Sequence, residues 1–245
     1  MESKLLTTEA RGAALVVTLN RPKNRNALNP ELMREMADLA IDLRRGSDVA
    51  AIVVTGEGGA FSAGADIKDP RLFSPDTSIE SRRLATIGPE MVRAWETLPQ
   101  VTIAAIEGYA IGGGLALAMA CDFRVAGRGS FVSVPEVDLG AIYGMHSIPR
   151  LVATIGPART KRLVMMAERI PAETCADWAL FDELTDDGKA LDHALEMADT
   201  LAAKPRLAME MNKRAINAVA MAFSEIASHA DMDQLLAASG SRKSD

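Results

Sequence analysis

The chain has 245 residues, of which 48% are hydrophobic and 24% charged, with a net charge of −6. That composition excludes a disordered chain and allows one large core. The acidic balance disfavours a nucleic-acid role, which wants a basic surface, but leaves room for a local site for a small anion.

The N-terminal stretch Met1–Arg11 carries both charges and no apolar centre, unlike a signal peptide. No apolar run is long enough to cross a bilayer uninterrupted; Val101–Ala120 comes nearest and is broken by Glu107 and glycines. Cys121 and Cys175 lie far apart, in neither a disulfide framework nor a zinc motif. A reducing cytoplasm is the expected setting.

Ala14–Leu19 is a β-branched run that predicts a strand. Asn29 as N-cap, Pro30 and Glu31 open a helix in which Leu32, Met36, Leu39, Ala40 and Leu43 share a face, and Gly46 ends it. Ala50–Thr55 reads as a buried strand, followed by a glycine-rich stretch to Gly64. Ile79–Leu98 predicts a helix interrupted at Gly88-Pro89, and Val101–Ile106 a second buried strand. A small-residue helix is expected over Leu115–Ala120, and short strands over Phe123–Ala126 and Phe131–Ser133. From Gly144 onward the chain is rich in helix formers, with helices expected in Pro157–Ala167, Lys189–Ala203 and Pro205–Ala238. No repeat of fixed period stands out.

Several chemistries lack their residues. There is no G-x-S-x-G, no H-E-x-x-H, no complete G-x-G-x-x-G, and Ala65 stands where a P-loop needs lysine. Two strand-to-helix junctions remain. One strand leads to Phe61-Ser62-Ala63-Gly64-Ala65-Asp66-Ile67, the other to Ile111-Gly112-Gly113-Gly114-Leu115-Ala116. Such turns either serve only as tight corners or expose amides to a ligand. Two converging amides, one at a helix N-terminus, would form an oxyanion hole.

Together these stretches resemble the crotonase family, the enoyl-CoA hydratase/isomerase superfamily, over about residues 10 to 220. Leu19-Asn20-Arg21-Pro22 with Asn26-Ala27-Leu28 is similar to its N-terminal signature. The two glycine turns, the second starting at Gly108-Tyr109-Ala110, look like its oxyanion turns, and Pro135-Glu136-Val137-Asp138-Leu139-Gly140 like its acidic segment. The resemblance implies an α/β spiral of repeated ββα units over residues 1–190 and a helical C-terminal region, 191–245, that builds homotrimers or hexamers. It implies an acyl-CoA substrate, with coenzyme A as part of the substrate and no separate cofactor or metal. The thioester oxygen would sit between the amides of Ala65 and Gly113. CoA would lie along Arg25–Leu28 and Ala63–Ile67, with Ala27, Ala63, Asp66, Ile67, Gly112, Ala116 and Tyr143 as further substrate contacts. Arg25 either pairs with phosphates or is a solvated surface residue.

Glu136, matching a family glutamate, is the candidate base; without the resemblance it would read as a solvated residue. Family hydratases use a second glutamate one turn past the oxyanion glycine, where this chain has Ala116. Hydration wants two carboxylates, whereas moving one proton between carbons wants one base. The pattern therefore favours enoyl-CoA isomerisation, with a 2-enoyl-CoA hydratase as the alternative and a non-catalytic acyl-CoA-binding protein as a third reading. Asp138 and His146 are lesser candidates, with structural roles expected. Tyr143 either donates a hydrogen bond or fills the acyl pocket. Asp66 is expected to brace its turn, Lys213 either to reach a phosphate or, the favoured reading, to lie solvated on a helix, and Trp95 or Phe73 to supply any aromatic platform. The family's last segment packs near a neighbour's CoA; the ending at Ser241–Asp245 leaves that contact open.

Overall fold

The computed structural model describes residues 5–46, 48–72 and 78–222, together with Ser224, Ser228, Asp231, Asp233 and Gln234. Phe73, Ser241–Asp245 and most of the helix expected beyond residue 222 lie outside the described residues. The elements run β1 (Leu6–Arg11), β2 (Ala14–Leu19), α1 (Pro30–Gly46), β3 (Ala51–Gly56), α2 (Ile79–Glu96), β4 (Val101–Ile106), β5 (Tyr109–Ile111), α3 (Gly113–Ala120), β6 (Phe123–Gly127) and β7 (Phe131–Ser133). Then come α4 (Ser147–Met165), β8 (Ile170–Pro171), α5 (Ala172–Asp177), β9 (Glu183–Thr185), α6 (Ala190–Ala202) and α7 (Arg206–Ala220).

The strands form two sheets, ordered β1-β2-β3-β4-β6-β9 and β5-β7-β8. From β2 to β9 the larger sheet is parallel, and only the edge pair β1–β2 is antiparallel. β5 also runs parallel to β7. From β4 onward the chain passes back and forth between the sheets, with β4 and β6 in the larger and β5 and β7 in the smaller, as in the α/β spiral expected for the crotonase fold.

The runs Ala51–Val54 and Val101–Ile106 are buried on both faces, as a covered parallel sheet requires. Ile52, Val54, Ala104 and Ile106 face the main core with Leu32, Met36, Met91 and Trp95. Ala51, Val53, Ile103 and Ala105 face the opposite way, toward α6. Ala190, Ala194 and Ala198 form a flat stripe one turn apart, which lets α6 lie close on the sheet.

In α1 the Asn29 side chain caps the Leu32 amide at 3.1 Å, as its sequence predicts. α2 differs from expectation, since it continues through Gly88-Pro89. Proline removes one helix donor, but Ile87, Met91, Val92 and Trp95 are buried along the same helix and hold its course. The break falls instead at Gly156 in α4, where φ 75° and ψ 164° bend the axis before Pro157. Trp95 lies in the core with Nε1 donating to the Met36 carbonyl at 3.0 Å, so it is no substrate platform. Lys213 is not solvated: it is nearly buried, pairing with Asp122 at 2.6 Å and donating to the Gln100 carbonyl at 2.7 Å. Among the described residues no helix is long and apolar enough to cross a membrane.

Candidate active site

The first glycine turn is stitched on both sides. Leu28 N–H donates to the Gly64 carbonyl at 2.7 Å and Asp66 N–H to the Leu28 carbonyl at 3.0 Å. In that parallel bridge the residue between, Ala65, turns its own amide away from Leu28. On the other side Ser62 pairs with Ala110 through Ser62 N–H to the Tyr109 carbonyl and Ile111 N–H to the Ser62 carbonyl. Asn26 fastens the entry. It is fully buried at φ 53°, donates to the carbonyls of Glu57 (2.9 Å) and Ala60 (2.7 Å), and accepts from Arg21 N–H at 3.0 Å.

Glycine brings the two turns together. At Gly64 (φ 84°) a Cβ would stand 2.6 Å from the Ile111 carbonyl oxygen and 3.2 Å from Gly113 N. A Cβ on Gly113 would lie 3.5 Å from Ala65 N. The amides of Ala65 and Gly113 therefore border one small space, and Gly113 is the first residue of α3, where helix amides lack intrahelical acceptors. Gly112 donates to the Ser133 carbonyl at 2.9 Å, which fixes this turn to β7.

Both turns open on a cavity of about 680 Å³. Of the residues singled out in the sequence, Arg25, Ala27, Ala63, Ala65, Asp66, Ile67, Gly112, Gly113, Glu136, Asp138 and Tyr143 line it. Ala116 does not. It is fully buried in the main core on α3, packed among apolar side chains. Asp66 braces the turn through an ion pair with Arg21 at 2.9 Å and a bond from Lys68 N–H at 3.2 Å. His146 is the N-cap residue of α4, and its amide donates to Asp231.

Glu136 comes from a short 3₁₀ turn, Pro135–Leu139, closed by Gly140 in the left-handed conformation. The residue is half-buried overall, but its Oε2 is out of solvent and has no hydrogen-bond partner. Burial pushes the carboxyl up to about 7, partly offset by its own backbone amide. The Tyr143 hydroxyl is likewise buried without a partner, while the neighbouring Ser147 hydroxyl bonds the Met145 carbonyl. Burial raises the phenol's pKa, and the nearby Glu136 charge raises it further. Two unpartnered polar atoms in one cavity are uncommon without a ligand role.

Sequence reasoning gave no charge role to the exposed cations Lys23, Lys68 and Arg71, which line this cavity together with Arg25. Lys23 and Lys68 flank the quoted motifs and were a readable signal. Arg71 pairs with Glu31 at 2.7 Å and Asp69 at 2.6 Å, holding both carboxyls below their ordinary range. Among the described residues no three His, Cys, Asp or Glu side chains converge as a metal site.

The arrangement offers paired backbone donors, one poised carboxyl and a cationic border. It suits stabilising an oxyanion while a proton moves. Known proteins share this architecture. The chain is 34% identical over 218 residues to a short-chain-enoyl-CoA hydratase of Clostridium acetobutylicum, covering 89% of this chain and 82% of that protein. It is 33% identical over 217 residues to a crotonyl-CoA hydratase of Syntrophomonas wolfei, covering 88% and 82%. Among solved structures, Pseudomonas aeruginosa DspI matches with TM-score 0.82 at 33% identity, covering 88% and 87%. An enoyl-CoA hydratase/isomerase from Xanthobacter autotrophicus Py2 matches with TM-score 0.90 at 28% identity, covering 98% and 89%. A family model for enoyl-CoA hydratase/isomerase matches residues 9–244, and with the two glycine turns in place the chain belongs to that family.

Proposed function

We propose that this protein isomerises the double bond of an enoyl-CoA thioester, with Glu136 as its single proton carrier. One observation carries the reading: among the described residues one carboxylate with a buried, unpartnered oxygen, Glu136, shares the cavity with the Ala65 and Gly113 amides, while Ala116 supplies only a methyl buried in the core. Glu136 takes a proton from C2 of a 3-enoyl ester. The C–H electrons flow into the thioester, and negative charge builds on its oxygen between the two amides. Glu136 then returns the proton to C4, and the double bond shifts from C3–C4 to C2–C3. A carboxyl near pKa 7 is matched to taking and returning a proton at neutral pH.

CoA would lie with its phosphates toward Lys23, Arg25 and Lys68 and its adenine end along Ala63, Ala65 and exposed Ile67. Copies of the chain would associate through α7, whose Leu207, Met211, Ile216 and Val219 lie on the surface. Trimers, singly or in pairs, fit that reading.

A second reading is hydration of a 2-enoyl-CoA. The relatives named as hydratases favour it, and the unpartnered Tyr143 hydroxyl offers a hydrogen-bonding group for a water. Product identification separates the two. Purified protein incubated with a 3-enoyl-CoA should yield the 2-enoyl ester with no change in mass. Gain of one water from a 2-enoyl-CoA, without conversion of the 3-enoyl ester, would instead support hydration. Acyl-CoA binding with neither conversion would leave only the non-catalytic reading.

A further inference from the structure

Met145 and His146 are consecutive non-glycine residues in the left-handed conformation, at φ 61° and 55°. L side chains enter that region at a cost and remain there when neighbouring structure insists, often at functional sites. Here the neighbours are evident. His146 N–H donates to Asp231 Oδ2 at 3.3 Å, and Arg150 Nη1 donates to the His146 carbonyl at 3.3 Å. Arg150 is itself buried and paired with Glu96 at 2.6 Å. The Met145 carbonyl accepts from the Ser147 hydroxyl at 3.3 Å.

The strained turn delivers the Met145 thioether to one place. A Cβ on Gly88 of α2 would meet Met145 Cε at 2.6 Å and Sδ at 3.2 Å. A Cβ on Gly113 would meet the same atoms at 3.3 and 3.4 Å. The side chain therefore fills the gap between the oxyanion glycine and the wall of α2. Of the α2 residues that line the cavity, Leu84, Ala85, Gly88 and Pro89 are apolar and Ser81 is polar, whereas the cations Lys23 and Arg25 line it from the segment before α1. An acyl-CoA with its phosphates at the cations and its carbonyl at Gly113 would send its acyl chain toward α2, where Met145 lies across the way.

We infer that Met145 is the acyl-length stop of this site and restricts it to short acyl groups. The inference rests on the acyl-CoA reading of the cavity. Gly88 belongs to the same device, because a side chain there would displace the thioether from its place.

The test compares butyryl-CoA with octanoyl-CoA in calorimetric binding, which needs no turnover, and the matching enoyl esters in kcat/KM. The wild type should prefer the short chain in both. Met145→Gly removes the stop and suits the backbone angle, so the fold is retained; the octanoyl-to-butyryl ratio should rise at least about tenfold. Met145→Leu, of similar volume, should restore the short-chain preference. An unchanged ratio in Met145→Gly, or a wild type that prefers octanoyl-CoA, overturns the inference. Length-selective binding that responds to Met145 without any turnover would leave the stop standing and remove the isomerase reading. Turnover with a ratio indifferent to Met145 would do the reverse.

Discussion

The Glu136 carboxylate rests directly on Gly112: a Cβ at Gly112 would overlap Glu136 Oε1. The base and the second oxyanion turn are thus packed against each other, and the missing side chain of Gly112 is the space the carboxylate occupies. Gly112→Ala should displace Glu136 and also strain a backbone at φ 48°, ψ −118°. A displacement of this order lowers kcat by about 100-fold. Steady-state kinetics with acyl-CoA binding measured alongside checks it; unchanged kcat would mean the carboxylate is not held against this turn during turnover.

The raised pKa of Glu136 gives activity and stability opposite pH slopes. A base must be ionised, so kcat/KM should rise with pH through about 7 and then level off. The folded state holds this proton more tightly than the unfolded chain. Its contribution to stability is therefore fully present below the ordinary value of 4.5 and is lost as pH rises through about 7. With the residue half-buried overall, that loss is on the order of 2 kcal/mol. Denaturant melts of wild type and Glu136→Gln at acid and alkaline pH should show the slope in the first and a flatter one in the second.

Tyr143→Phe removes a buried hydroxyl that makes no well-formed hydrogen bond in the folded chain, with the Ser147 hydroxyl close enough to ease its burial. Stability should stay level or rise by about 1 kcal/mol. If the hydroxyl meets the substrate or a water, kcat should nevertheless fall, by about tenfold or more. A stability loss without a kinetic effect would make Tyr143 a packing residue alone.

Asn26 binds three backbone groups with its side chain, tying its own loop to the turn after β3, and lies fully buried. Asn26→Ala would leave two carbonyls and one amide without these partners, at roughly 2–5 kcal/mol. Thermal unfolding should drop on the order of 10 °C. A melting temperature within a degree or two of wild type would show that the first oxyanion turn does not depend on this staple.

Some of this molecule can be read in its residues. The central strands announce themselves because Ala51–Val54 and Val101–Ile106 are apolar without alternation, as strands covered on both faces must be. β1 does not, because Leu6–Arg11 is an exposed edge that exists through pairing with β2. The same holds for the short β8 and β9. Both glycine turns stand out as small residues where buried strands end, but Glu136 was legible only through the family resemblance, because nothing in residues 135–140 themselves shows that the fold takes one of its oxygens out of solvent. Lys213 was not: its helical surroundings look solvated, and only the fold sets it against Asp122. Met145 gave no signal, since a methionine in the left-handed region cannot be told from any other in sequence.

The central claim is that one carboxylate, Glu136, carries the proton opposite the Ala65–Gly113 amides. Incubating a 3-enoyl-CoA in heavy water with wild type and with Glu136→Gln tests it most directly, by following deuterium entry and double-bond position together. The account predicts deuterium exchange and migration to the 2-enoyl ester with wild type, and loss of both by about 100-fold or more in the variant, which still binds the ester. Exchange and migration retained in Glu136→Gln would contradict it.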